Sequence, residues 1–135
     1  PFPCRIRGPK TPQQELFQIA YPRQRTLIQE SACVILPYFR QKYAFDNPKN
    51  DYGLMDYGAA WALVENLLLA ATADGLGSVV HIPVKKEPEQ IKAFLKIPDG
   101  YYLPALVILG YARKDALVPA QVKATVENKV HWNKW

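Results

Sequence analysis

Residues 56–77 read DYGAAWALVENLLLAATADGLG, and the interpretation of this stretch decides which folds are open to the chain. Asp56 offers a side-chain oxygen at the start of a helix, and Gly75 stands where a left-handed residue closes one. The spacing predicts a helix from about Tyr57 to Ala73, roughly 26 Å long at 1.5 Å per residue. Trp61, Leu63, Val64, Leu67, Leu68 and Leu69 surround its axis and leave only a thin polar stripe at Glu65, Asn66 and Thr72. Such a helix cannot lie on the surface of a small monomer, because a surface helix keeps its apolar residues on one face. It is either the central helix of the core or half of a dimer interface. Glu65 and Asn66 must then find partners, and a structural hydrogen-bond network is their expected use.

Two apolar runs flank this helix. Ala32-Cys33-Val34-Ile35-Leu36, bounded by Pro37, reads as a central strand buried on both faces, and Ala105-Leu106-Val107-Ile108-Leu109 as a second. Ser78-Val79-Val80-His81-Ile82-Pro83 is β-branched and Pro-terminated, a short strand or extended segment. Thr11-Pro12 caps an early helix that Tyr21-Pro22 stops, and another runs from about Arg23 to Ser31. Glu87 through Leu95 forms a helix with its acids at the positive end, and Pro98-Asp99-Gly100 is a turn. Cys4-Arg5-Ile6-Arg7 is at most a short edge strand, and residues 40–56 read as an exposed loop. The tail ends with Trp132 and Trp135, which are expected to dock on another surface.

With 135 residues, 49% hydrophobic and 21% charged, the chain suits a single domain over 1–135 and excludes fibrous and disordered classes. Its net charge of +5 lies in residues 1–50, with eight basic and three acidic side chains, while 51–135 hold nine of each. This asymmetry favours an anionic ligand or partner. Cys4 and Cys33 allow at most one disulfide, and reduced thiols in a cytoplasmic protein are the expectation. Neither a signal peptide nor a membrane anchor is legible. The chain begins without Met on a Pro-rich phrase that reads as mid-domain, so a longer parent is expected, with the fold incomplete at this N-terminus.

No Walker loop, G-x-G-x-x-G, G-x-S-x-G or metal-ligand spacing is present, which removes the parts of most familiar enzyme mechanisms. Gly75-Leu76-Gly77 reads first as a helix C-cap, although such a turn also lets backbone N–H groups approach a flat ligand. His81, in an apolar extended segment, reads on spacing alone as a hydrogen-bonded structural histidine.

Three motifs in order carry a more specific reading. Asp56-Tyr57-Gly58-Ala59-Ala60 followed by Glu65-Asn66-Leu67-Leu68-Leu69-Ala70-Ala71 and Asp74-Gly75-Leu76-Gly77-Ser78 resembles the central helix and turn of the FMN-dependent nitroreductase family. Leu95-Lys96-Ile97-Pro98 with Pro104 to Tyr111 is similar to its late core strand, and Glu127 to Trp132 to its C-terminal tail. The likeness covers about residues 56–135. It implies an α+β fold with a mixed β-sheet flanked by helices, corresponding to the C-terminal two-thirds of the family's domain. It also implies an intertwined homodimer that binds FMN between subunits, takes hydride from NADH or NADPH, and reduces nitroaromatic, quinone or similar flat small-molecule acceptors by a ping-pong mechanism.

In that resemblance no side chain is catalytic. Val80, His81, Ile82 and Pro83 would pass beside the flavin ring, Lys123 would meet the FMN phosphate, and Arg113 would be a second phosphate contact. The family's Arg-rich opening segment has no counterpart here, which leaves open a flavin-free dimeric module whose basic first third contacts an acidic partner or, less favoured, nucleic acid. The phosphate assignment is testable: Lys123→Glu is expected to weaken FMN retention and leave the dimer intact. Unchanged FMN affinity in that variant would refute it.

Overall fold

The computed structural model describes residues 7–43, 51–116 and 125–134. Cys4 to Ile6 of the expected first strand, the middle of the 40–56 loop, Lys123 and Trp135 lie outside the described residues. The chain divides into two compact units, Pro1–Thr26 with Asp115–Trp135, and Leu27–Lys114.

In the first unit, α1 (Pro12–Ala20) begins as its cap predicts. Thr11 is extended and its hydroxyl accepts the Gln14 N–H at 3.3 Å, with Pro at the start of the helix, where a missing N–H costs nothing. Gln14 reaches back to accept the Lys10 N–H at 2.7 Å, so the helix start is held from both directions. Phe17 and Ile19 remain exposed. A single 3₁₀ turn, Tyr21–Arg23, follows, and then α2 (Gln24–Glu30). A second 3₁₀ turn, Val126–Asn128, lies in the tail, where Trp132 is exposed.

The second unit holds a three-stranded sheet in the order β1 (Cys33–Ile35), β5 (Leu106–Gly110), β3 (Gly77–His81), with every pairing antiparallel. Strand β5 is central and buried, as its uncharged run predicts. The expectation for β1 is corrected: among the described residues it is an edge strand, with Cys33 exposed and Val34 and Ile35 half-buried. An apolar run shows that a segment is sheltered, not where it sits in a sheet. Only three residues of β1 pair, opposite Leu109, Ile108 and Val107, before Pro37 removes a donor.

Helix α3 spans Tyr52–Ala73, so it starts five residues earlier than the sequence suggests. Asp51 precedes its first turn without a side-chain capping bond, and Asp56 is an ordinary helical residue. Residues 52–56 fall in the stretch that reads as an exposed loop, yet the buried Gln41 side chain donates to the Gly53 carbonyl and anchors this first turn. The other end follows the expectation. Gly75, at φ +72°, donates to Thr72 O at 3.1 Å and Leu76 to Ala71 O at 2.8 Å, the paired bonds that close a helix on a left-handed residue.

Gly53, Ala60, Val64 and Ala71 are the buried residues of α3. The helix packs on β3 and β5, and Ala105, Leu106, Val107 and Ile108 complete the core. The remaining apolar residues of α3 do not share that burial: Leu54, Met55, Leu63 and Leu69 are all at least half exposed in the single chain.

A two-stranded ribbon pairs β2 (Phe39–Arg40) with β4 (Tyr101–Tyr102). It is joined to α3 through rings, with Phe39 edge-on to Tyr57 at 6.2 Å and Tyr57 to Trp61 at 6.4 Å. The Gln41 N–H donates to Gly100 O at 2.8 Å and continues the ribbon past its last pair. The nearby Tyr38 hydroxyl is buried without a hydrogen-bond partner; burial pushes its pKa up, and the Lys92 charge opposes that shift. No helix among the described residues is long and apolar enough to cross a membrane.

Helix α4 covers Glu87–Leu95, the predicted range. Lys96 closes it in the left-handed region at φ +54°, with Lys96 N–H on Ala93 O at 3.3 Å and Ile97 N–H on Lys92 O at 3.0 Å. A side chain at such a φ costs about 1 kcal/mol that glycine does not. Lys92 also holds Asp99 at 2.9 Å, and this hydrogen bond and charge keep the exposed Asp99 carboxyl below the usual carboxylate range. Lys96→Gly is expected to raise unfolding stability by about 0.5–1 kcal/mol in denaturant titration. A loss of stability would show that the Lys96 side chain makes a favourable contact.

Candidate functional site

The four consecutive residues singled out beside the ring, Val80 to Pro83, lie where β3 ends and the chain turns towards α4. Val80 and His81 close the strand opposite Val107 and Leu106. Val80, His81 and Pro83 are half-buried, whereas Ile82 is 55% and Val84 48% exposed, so the turn presents apolar side chains outward. Among the described residues β3 is the outer strand of its sheet, which leaves this corner open on one side.

The turn is shaped by one carboxylate. Glu87 Oε2 accepts the Val84 N–H at 2.9 Å and lies 3.2 Å from His81 Nε2. Since a carboxylate only accepts, the second bond requires that Nε2 carry the proton. The Glu87 N–H in turn donates to Val84 O at 3.1 Å. Lys85, at φ +57°, is the left-handed residue that reverses the chain so that Glu87 can reach back. His81 is therefore hydrogen-bonded, and to a residue on the next element.

Main-chain donors on this turn are few. Pro83 has no N–H, and that of Val84 is taken by Glu87, while Ile82, Lys85 and Lys86 keep theirs; of these, the Ile82 N–H lies next to the end of β3. At the first position of α4 the Glu87 charge is favourable in itself, and the residue also follows Val84 by three, the spacing at which an acid's side chain caps backwards.

Arg113 is exposed and stands three residues beyond the end of β5. The register Gly77↔Gly110 puts the chain leaving β5 at the start of β3, and a Cβ built on Gly77 lies 3.8 Å from the Ala112 side chain. Ile82 and Pro83 leave the other end of β3, about 13 Å away at 3.3 Å per residue. The fold thus does not bring Arg113 to the turn, and Lys123 lies outside the described residues.

The sequence profile of the Nitroreductase family matches residues 5–111. That range begins well before the motifs that carry the resemblance and ends before Arg113 and Lys123. A protein named NADH dehydrogenase from Thermus thermophilus is 40% identical over 58 residues, 43% of this chain and 27% of that protein. Among solved structures, oxidized iodotyrosine deiodinase bound to FMN and 3-iodo-L-tyrosine aligns with a TM-score of 0.62 at 17% identity, over 97% of this chain and 61% of that one. A nitroreductase-like family protein from Bacillus cereus aligns with a TM-score of 0.62 at 18% identity, over 87% of this chain and 61% of that one. The chain thus spans less than two thirds of each of these proteins, and the structural likeness is one of fold.

Proposed function

The chain belongs to the nitroreductase family, and from that membership we propose that it serves an FMN-dependent oxidoreductase. When bound, FMN would supply the redox chemistry, taking hydride from NADH or NADPH and passing electrons to a flat nitroaromatic, quinone or similar acceptor in alternation. The observation that carries this reading is the turn after β3, apolar, outward-facing and held in one shape by Glu87.

The residues of this turn suit the ring of such a cofactor. Ile82 and Val84 offer an apolar wall that excludes water from one face, and the Ile82 N–H can stabilise negative charge on a ring edge without moving a proton. No acid or base is required of the protein, because positioning and electrostatics are its share of the work. Arg113 sits a strand length away, so in this reading it would serve only a group extended well beyond the ring, and Lys123 is the first candidate for the phosphate.

A homodimer belongs to the same reading. Leu54, Met55 and Leu69 leave apolar surface on a helix whose opposite side is already packed, and a second copy of this chain would cover it. The site would then be completed by the partner subunit.

Two measurements test these proposals. Purified chain mixed with FMN and passed over a sizing column is expected to retain flavin absorbance that bleaches with NADH or NADPH and returns with a quinone; a colourless protein fraction would overturn the flavin reading. Leu69→Glu is expected to shift the chain from dimer to monomer in sedimentation velocity. A variant that remains dimeric, or a parent chain that is already monomeric, would overturn the interface.

A further inference from the structure

We propose that Glu87 is a positioning residue for the flavin: by holding the Val84 N–H and the His81 ring on one carboxylate oxygen, it sets the direction of the Ile82 N–H and the height of the apolar wall. The inference rests on the flavin reading above and deepens it.

Between the last pair of β3 and the first residue of α4 there are five residues, 82–86, and Pro83 cannot donate. Lys85 is in the left-handed region, a conformation that an L side chain adopts only at a steric cost. Glu87 opposes that cost with contacts on both sides of Ile82-Pro83: His81 at 3.2 Å before it and Val84 at 2.9 Å after it. The two-residue excursion is thereby bracketed by a single side chain that is itself on a regular helix.

The bracketing is partly sheltered, with the His81 side chain 16% and the Glu87 side chain 27% exposed, so water competes weakly for these bonds. Ile82 itself is exposed. An outward-facing residue that keeps its N–H outside the strand ladder is a useful donor only if its direction is fixed, since a donor that must be reoriented gives up part of its advantage. Glu87 touches no ligand in this scheme. It acts through Val84 and His81.

Three forms of the chain separate this role from a merely structural one: the parent, Glu87→Ala, which removes both bonds, and Glu87→Gln, which keeps an acceptor for the Val84 N–H. Each is loaded with FMN, and the dissociation constant and flavin reduction potential are measured. The Val84 amide exchange rate is followed in the flavin-free chain. Glu87→Ala is expected to weaken FMN binding about tenfold, to shift the potential and to speed Val84 exchange, while Glu87→Gln restores slow exchange and most of the affinity.

Parent-like affinity and potential in Glu87→Ala would overturn the proposal, as would a Glu87→Gln variant no better than Glu87→Ala. If Glu87→Ala fails to fold, the Glu87→Gln comparison with the parent still decides, and a tenfold loss there counts against it. If the parent chain itself takes up no FMN, the flavin reading falls and this inference falls with it. In that case fast Val84 exchange in Glu87→Ala shows the brace alone, and slow exchange removes even that. Failure of the brace and failure of the flavin reading therefore give different results.

Discussion

A narrow stripe of small side chains on α3 lies against the uncharged strand β5, and the arrangement of the Leu27–Lys114 unit depends on that contact. Gly53, Ala60, Val64 and Ala71 are the residues α3 buries, and Ala105 to Ile108 are those buried on the strand side. Val64 and Val107 are its largest fully enclosed side chains, and burying a valine contributes about 1.5–3 kcal/mol. Small residues allow a helix to approach a strand closely, and close packing is where dispersion and water exclusion are strongest. The larger leucines of α3 are left for other surfaces.

Once α3 covers β5, the remaining geometry has little freedom. β3 pairs with β5 over five residues from Gly77↔Gly110 to His81↔Leu106, so its last residue and the turn after it come to a fixed place at the rim of the sheet. α4 follows within a few residues, and its first-turn acid is then close enough to bind back to both sides of the turn. The ribbon of β2 and β4 is tied to the other end of α3 by the buried Gln41 and by the stacked edges of Phe39, Tyr57 and Trp61. A polar side chain as enclosed as Gln41 is tolerated because its amide and the backbone beside it both find carbonyls.

The same contact separates the two ends of the candidate site. An antiparallel pair sends its two exits to opposite ends, so the chain leaving β5 towards Arg113 departs at the start of β3, and the turn that Glu87 shapes lies at its finish. A cation and an apolar wall that are distant in space require a ligand with a charged extremity and a flat body if both are to be used.

Elements whose start and stop are written in neighbouring residues were legible from the chain alone. Thr11-Pro12 begins α1, Gly75 ends α3, and Glu87 to Leu95 forms α4, because caps, left-handed glycines and helix-start charges act over three or four residues. The burial of β5 was also legible, in a run of consecutive uncharged residues from Ala105 to Leu109. Only the tertiary structure decided that β1 is an edge among the described residues, that α3 extends back to Tyr52, and that a ribbon joins Phe39–Arg40 to Tyr101–Tyr102. Each of those depends on a partner distant in sequence or on which of several apolar faces is already occupied. Such information is a property of distances in space, and residue order carries it only after the chain has closed on itself.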